Sequence, residues 1–110
     1  MAYDEELAGR IRDLMSAEPS LAEKKMFGGL AFLVRGNMAV GVSGKGGMLV
    51  RVDPDKSDEL VATTSAQLMQ MRGRSMRGWL RVAARDVAGD GELAEWVERG
   101  TAYARSLPAK

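Results

Sequence analysis

The sequence predicts an α+β domain with an antiparallel sheet and helices packed on a face, in the order α-β-β-β-α-β-β-α. Three observations carry this. Residues 26–52 hold three apolar, β-forming runs joined by two short glycine-bearing turns, a meander pattern. An amphipathic stripe precedes it and a longer one closes the chain. Between the meander and the last stripe lies a second pair of strand-like runs around an arginine-rich tip.

Asp4 suits the cap of a first helix, since its carboxylate can accept the free N–H groups of the opening turn. Leu7, Ile11, Leu14 and Met15 then fall on one stripe, and Pro19 ends the helix near Ala17. Ser20 to Glu23 is read only as a connector, and Lys24 opens the meander. Phe27, Leu30, Phe32 and Val34 form its first apolar run. Within Leu30 to Arg35 both alternating faces are largely apolar, so this strand is expected to be covered on both sides. Gly36-Asn37 suits a two-residue turn that needs positive φ. Met38, Val40 and Val42 alternate with Ala39, Gly41 and Ser43, whose small side chains let another element approach closely. Gly44 to Gly47 reverses the chain into Met48 to Val52.

Asp53-Pro54 reads as a capped helix start with proline at the first helical position. Leu60, Val61 and Leu68 are read as facing inward, and Thr63, Thr64 and Ser65 suggest a stop after about two turns. Gln67 to Arg72 and Gly78 to Ala83 form the second hairpin, with Gly73 to Arg77 as its tip. Asp90 is read as capping a last helix with Leu93, Trp96, Val97, Gly100, Tyr103, Ala104 and Leu107 at helical spacing, ended by Pro108. Pro108 to Lys110 are expected to be loose.

One hundred and ten residues, 45% hydrophobic and 28% charged, make one globular domain over 1–110. There is no cysteine, so disulfides and thiolate metal sites are excluded, and a cytoplasmic setting is the expectation. The acidic start MAYDEELAGRIRD is unlike a signal peptide, and no apolar run approaches the ~20 residues of a membrane helix. Net charge is +1, but it is unevenly placed. Residues 1–23 carry −4, 24–52 carry +5, 53–65 carry −3, 66–85 carry +5 and 86–110 carry −2. The acidic segments are the expected helices, and the basic ones the strands and turns.

Chemistry is scarce. With no histidine, the commonest general base and nitrogen ligand are missing. The G-x-S-x-G pattern is nearly met at Gly41 to Lys45 and Gly73 to Arg77, but neither has the fifth glycine. Gly44-Lys45-Gly46-Gly47 lacks both the leading glycine and the hydroxyl residue of a phosphate loop, and reads as a hairpin loop. Met69, Met71 and Met76 have no histidine or cysteine beside them and read as core fillers rather than as copper ligands or the lining of a promiscuous groove. No metal site, cofactor or catalytic residue is expected. The arginines Arg72, Arg74, Arg77 and Arg81, with Trp79, are the candidate anion or nucleic-acid site, since guanidinium forks meet phosphates and an indole can stack on bases. The competing readings are an edge strand guarded by charge, or pairing of these arginines with the acidic helices within the chain. Ala39, Gly41 and Ser43 are the candidate self-association face.

Lys25-Met26-Phe27-Gly28-Gly29, a strand, a Gly-Asn turn, a second strand, Met48-Leu49-Val50-Arg51-Val52 and the Asp-Pro helix start together resemble the N-terminal domain of the TfoX/Sxy family. Met76-Arg77-Gly78-Trp79-Leu80-Arg81-Val82 and the helix bearing Trp96 resemble its closing strand and helix. The similarity runs from about Leu7 to Leu107. It implies an α-β(3)-α-β(2)-α fold grouped with secretion-chaperone-like domains, in a bacterial cytoplasmic protein. It further implies a role like that of the competence regulators, positive transcriptional co-regulators that act with the cyclic-AMP receptor protein. Those regulators carry a second, helix-hairpin-helix-like domain. This chain reaches Lys110 without one, and its second hairpin is richer in arginine and poorer in aromatics. The expectation is therefore a stand-alone, non-enzymatic interaction module with a protein partner, a second copy included, or alternatively a nucleic-acid or anion binder.

Overall fold

Asp4 closes the first turn of α1 (Glu5–Leu14), its Oδ1 accepting the Leu7 N–H at 3.1 Å. The computed structural model describes residues 3–26 and 28–109. After α1 come β1 (Leu21–Met26), β2 (Gly29–Val34), β3 (Asn37–Val42), β4 (Met48–Arg51) and α2 (Pro54–Thr63). β5 (Gln67–Met71), β6 (Arg74–Val82), a short 3-10 helix (Ala84–Val87) and α3 (Asp90–Ser106) complete the chain. The strands form one antiparallel sheet in the order β1-β2-β3-β4-β6-β5.

The α+β class and the sequence of helices and hairpins are as expected, with β1 as an additional strand ahead of the meander. Its middle four residues are exposed, so no buried alternation marks it in the sequence. Phe27 lies outside the described residues, as does the side chain of Met71.

Leu30, Phe32 and Val34 of β2, Val40 and Val42 of β3, Met48 and Val50 of β4 and Leu80 and Val82 of β6 share one face of the sheet. Leu7, Ala8 and Ile11 of α1 and Leu93, Trp96, Val97 and Ala104 of α3 complete that core, with Leu60 and Val61 of α2 against it. All three helices thus contribute to one side. Leu14 is 46% exposed instead of inward, because α1 ends there and Met15, at 2%, takes the buried place.

Four local readings shift. The β2–β3 turn is Arg35-Gly36, both at positive φ, rather than Gly36-Asn37. Asn37 instead begins β3, buried, where its Nδ2 donates to the Pro108 carbonyl at 2.9 Å and ties down the chain end. The second hairpin likewise turns at Arg72-Gly73, both at positive φ, so Arg74 to Arg77 belong to β6. Asp90 does not cap α3. Its Oδ1 accepts from Arg10 of α1 at 2.9 Å, and the same guanidinium donates to the Val87 and Ala88 carbonyls. α2 also outlasts two turns, running ten residues before the Thr63 and Thr64 hydroxyls donate back to the Glu59 and Leu60 carbonyls.

Asp53 does cap α2, accepting the Asp55 N–H at 2.9 Å ahead of Pro54. Asp53→Ala should cost about 1 kcal/mol, read as a lower urea midpoint.

On β1, Glu23 accepts from Arg12 Nε at 2.6 Å and Nη2 at 2.8 Å, fastening the edge strand to α1. This hydrogen bond holds the Glu23 carboxyl below its usual pKa, partly offset by desolvation. A depressed carboxylate adds stability above its unfolded value of about 4.3 and loses it as pH falls through the lower folded value. Glu23→Gln should therefore be slightly less stable than wild type at pH 7, and the two stability curves should converge in acid. Urea midpoints across pH 2 to 7 read this out.

A candidate docking face on the uncovered side of the sheet

The other face of the sheet has its own small apolar cluster. Ala31 of β2, Met38 of β3 and Leu49 of β4 are buried there, with Met26 of β1, Leu33 of β2, Met69 of β5 and Trp79 of β6 packed against them. No helix residue joins this cluster among the described residues. β2 is largely buried on both faces, but the cover expected on both is found on one: among the described residues no helix lies over the second side.

This face is concave. Six flat strands would set the two edges about 24 Å apart at the usual spacing. Yet Met26 on β1 and Met69 on β5, the two edge strands, line one depression of about 740 Å³. Register shifts at Phe32/Leu33 and at Leu68/Met69 supply local coiling. Ser43, Lys45, Leu49, Gln67, Arg72 and Arg81 also line the hollow, and its far end reaches Val61 and Leu68, which pack on the core as well.

Among the described residues the depression has no acidic lining residue, while Lys45, Arg72 and Arg81 are cationic. Glu23 is the only carboxylate on any described strand, and it faces Arg12 of α1. The segmental charge seen in the sequence becomes a spatial division, with acidic helices on one side and a basic, apolar hollow on the other. Among the described residues no group of three or more acidic side chains is placed to hold a metal.

The arginine site is only partly assembled. Arg72 and Arg81 line the hollow together, and Arg81 Nη2 lies 3.4 Å from the Lys45 and Gly46 carbonyls. Arg74 is exposed on β6 and Arg77 is turned to α2, donating to the Pro54 carbonyl at 3.1 Å with Asp55 Oδ1 at 3.9 Å. Trp79, offered as a stacking surface, has the Arg51 guanidinium 5.2 Å from its ring centroid, and that cation also lies 5.7 Å from Tyr103. Its ring is already partnered.

The small-residue face of β3 does not exist as one face. A bulge places Phe32 opposite Val40 and Leu33 opposite Met38, so Ala39 is the extra residue and turns to the core with Val40. Gly41, between Ala31 and Leu49, lies on the concave side, and Ser43 lines the hollow. The close approach anticipated at these small residues is made on the core side by α3. A Cβ on Gly100 would collide with the Ala39 carbonyl oxygen.

The Gly44–Gly47 loop is a hairpin connection closed on itself. Ser43 N–H donates to the Gly47 carbonyl at 3.0 Å and Gly46 N–H to the Ser43 carbonyl at 3.2 Å. The sequence reading missed Met26, Lys45, Leu49 and Met69 as site residues. The absence of acids from 24–52 and 66–85 was the available signal.

A family model described as the TfoX N-terminal domain matches residues 13–104. No curated protein matches the chain.

Proposed function

The chain belongs to the TfoX N-terminal domain family, and on that premise we propose that it is a non-enzymatic protein-interaction module, docking through the concave face of its sheet in the service of transcription regulation. The observation that carries this reading is that face itself: an apolar centre of Leu49, Met38 and Ala31, edged by half-buried methionines and free of carboxylates among the described residues, with the helices packed on the opposite side and Val61 of α2 reaching its far end. Flexible thioethers suit a surface that must accept another chain. The lack of histidine and cysteine supports a non-catalytic role, and the lack of cysteine a cytoplasmic one.

Capture from bacterial extract compares wild type, Met26→Glu/Met69→Glu and Leu14→Glu. Both methionines are half-buried, so the double variant should fold while its apolar rim is spoiled. Proteins held by wild type and by Leu14→Glu, but lost with the double variant, are expected. A bound set that is unchanged by the double variant contradicts the proposal.

A second reading, anion or nucleic-acid binding through the hairpin, is favoured by the exposed Arg72 and Arg74 beside its turn. It requires DNA affinity that falls steeply with salt and drops in Arg74→Ala/Arg77→Ala. Titration without binding at low salt removes it.

A further inference from the structure

The two edges of the sheet are guarded unequally. β1 carries Glu23, Lys24 and Lys25, charges of the sort that keep an edge from pairing with another chain. β5 reads Gln-Leu-Met-Gln-Met, with no charge and no proline. Among the described residues its backbone pairs only with β6, leaving the outer row of N–H and C=O groups open. An open edge alone is a liability in a soluble domain. Here it borders the hollow, since Gln67, Met69 and Gln70 belong to both.

A strand laid along β5 would direct every second side chain over the concave face. Those side chains would meet Met69 and Leu49, with Lys45, Arg72 and Arg81 around them and no carboxylate among the lining residues. Charge complementarity selects an acidic chain, because guanidinium forks bind carboxylates in paired hydrogen bonds. Resting on the interaction-module reading above, we infer that the ligand of this face is an extended, acidic segment of a partner protein that pairs with β5 and turns one strand face, carrying both acidic and apolar side chains, into the hollow.

A second copy of this chain fits poorly. β5 of a copy brings Arg72 and Arg74 with it and no acid, so basic rim would meet basic rim. Nucleic acid fits poorly too. The described lining residues include no aromatic, and Trp79 on the same face is covered by Arg51, which leaves no platform for stacked bases.

The test is fluorescence anisotropy with a labelled, end-capped Glu/Leu peptide of about eight residues, Glu-Ser-Leu-Ser repeated, which puts Glu and Leu on one face of the strand and is long enough to run the length of β5. The comparisons are the same peptide with Lys in place of Glu, two versions N-methylated at one or the other alternate set of amides, and a short duplex DNA. The Glu/Leu peptide is expected to bind. Arg72→Glu should weaken it at least about fivefold and Arg72→Glu/Arg81→Glu further, while Leu14→Glu leaves it unchanged. Thermal melts confirm that each variant is folded, and Arg72→Glu, at an exposed turn, keeps the test valid should the double variant not fold. N-methylation should weaken binding along one edge of the peptide, the one facing β5.

No binding of the Glu/Leu peptide overturns the inference. Equal binding of the Lys/Leu peptide removes its acidic character and leaves the interaction module standing. Indifference to N-methylation at either set of amides removes the strand pairing. Duplex DNA binding that outcompetes the peptide and is lost in Arg72→Glu contradicts this inference and the proposed function together.

Discussion

Phe32→Ala should destabilise the domain by about 3–5 kcal/mol, a large share of the roughly 5–15 kcal/mol that holds a domain of this size folded. Phe32 is 0% exposed on β2 and stands across from Val40 where the β2–β3 register shifts. Its ring occupies the layer between the sheet and the helices, where no comparable side chain can move in, so truncation leaves a cavity in addition to the lost transfer energy. Phe32→Leu retains most of the volume and should cost far less. Urea unfolding separates the two: the alanine variant should show a much lower midpoint at unchanged slope, and the leucine variant a small shift.

Gly100→Ala tests the helix–sheet contact itself, and there two effects oppose each other. Alanine within a helix is favoured over glycine by about 1 kcal/mol. Against this, a Cβ at position 100 would overlap the Ala39 carbonyl oxygen and lie 2.7 Å from Val40 Cγ1. Backbone cannot swing aside as a side-chain end can, so α3 must lift from β3, and overpacking of this kind costs about 1–3 kcal/mol. The steric effect should win, leaving a net loss of stability in thermal or urea unfolding. A net gain would mean that α3 does not sit on the bulge as described.

Helix α1 was legible from its stripe, α2 from Asp53-Pro54 and α3 from the spacing of Leu93, Trp96, Val97 and Gly100, because burial on one face imposes a period. β1 was not, since its edge residues Ala22 to Lys25 are exposed and nothing selects their order. Alternation assigns side chains to faces only while the strand is regular. The extra residue at Ala39 reverses that parity, which is why Ala39, Gly41 and Ser43 do not form a surface. The arginines were visible as a cluster in sequence, but Arg77 is drawn to the Pro54 carbonyl by a contact between distant segments. The concavity that joins Met26 to Met69 depends on strand order and coiling, and no local pattern records either.

The position of the ligand is the central matter, and the methyl groups of methionine report it. Protein labelled at methionine Cε and titrated with the Glu/Leu peptide should show shifts at Met26, Met38 and Met69 on the concave face, while Met15 and Met48 in the helix-covered core stay in place. Shifts confined to Met15 and Met48, or an unchanged spectrum with peptide in excess, would contradict docking on the uncovered face of the sheet.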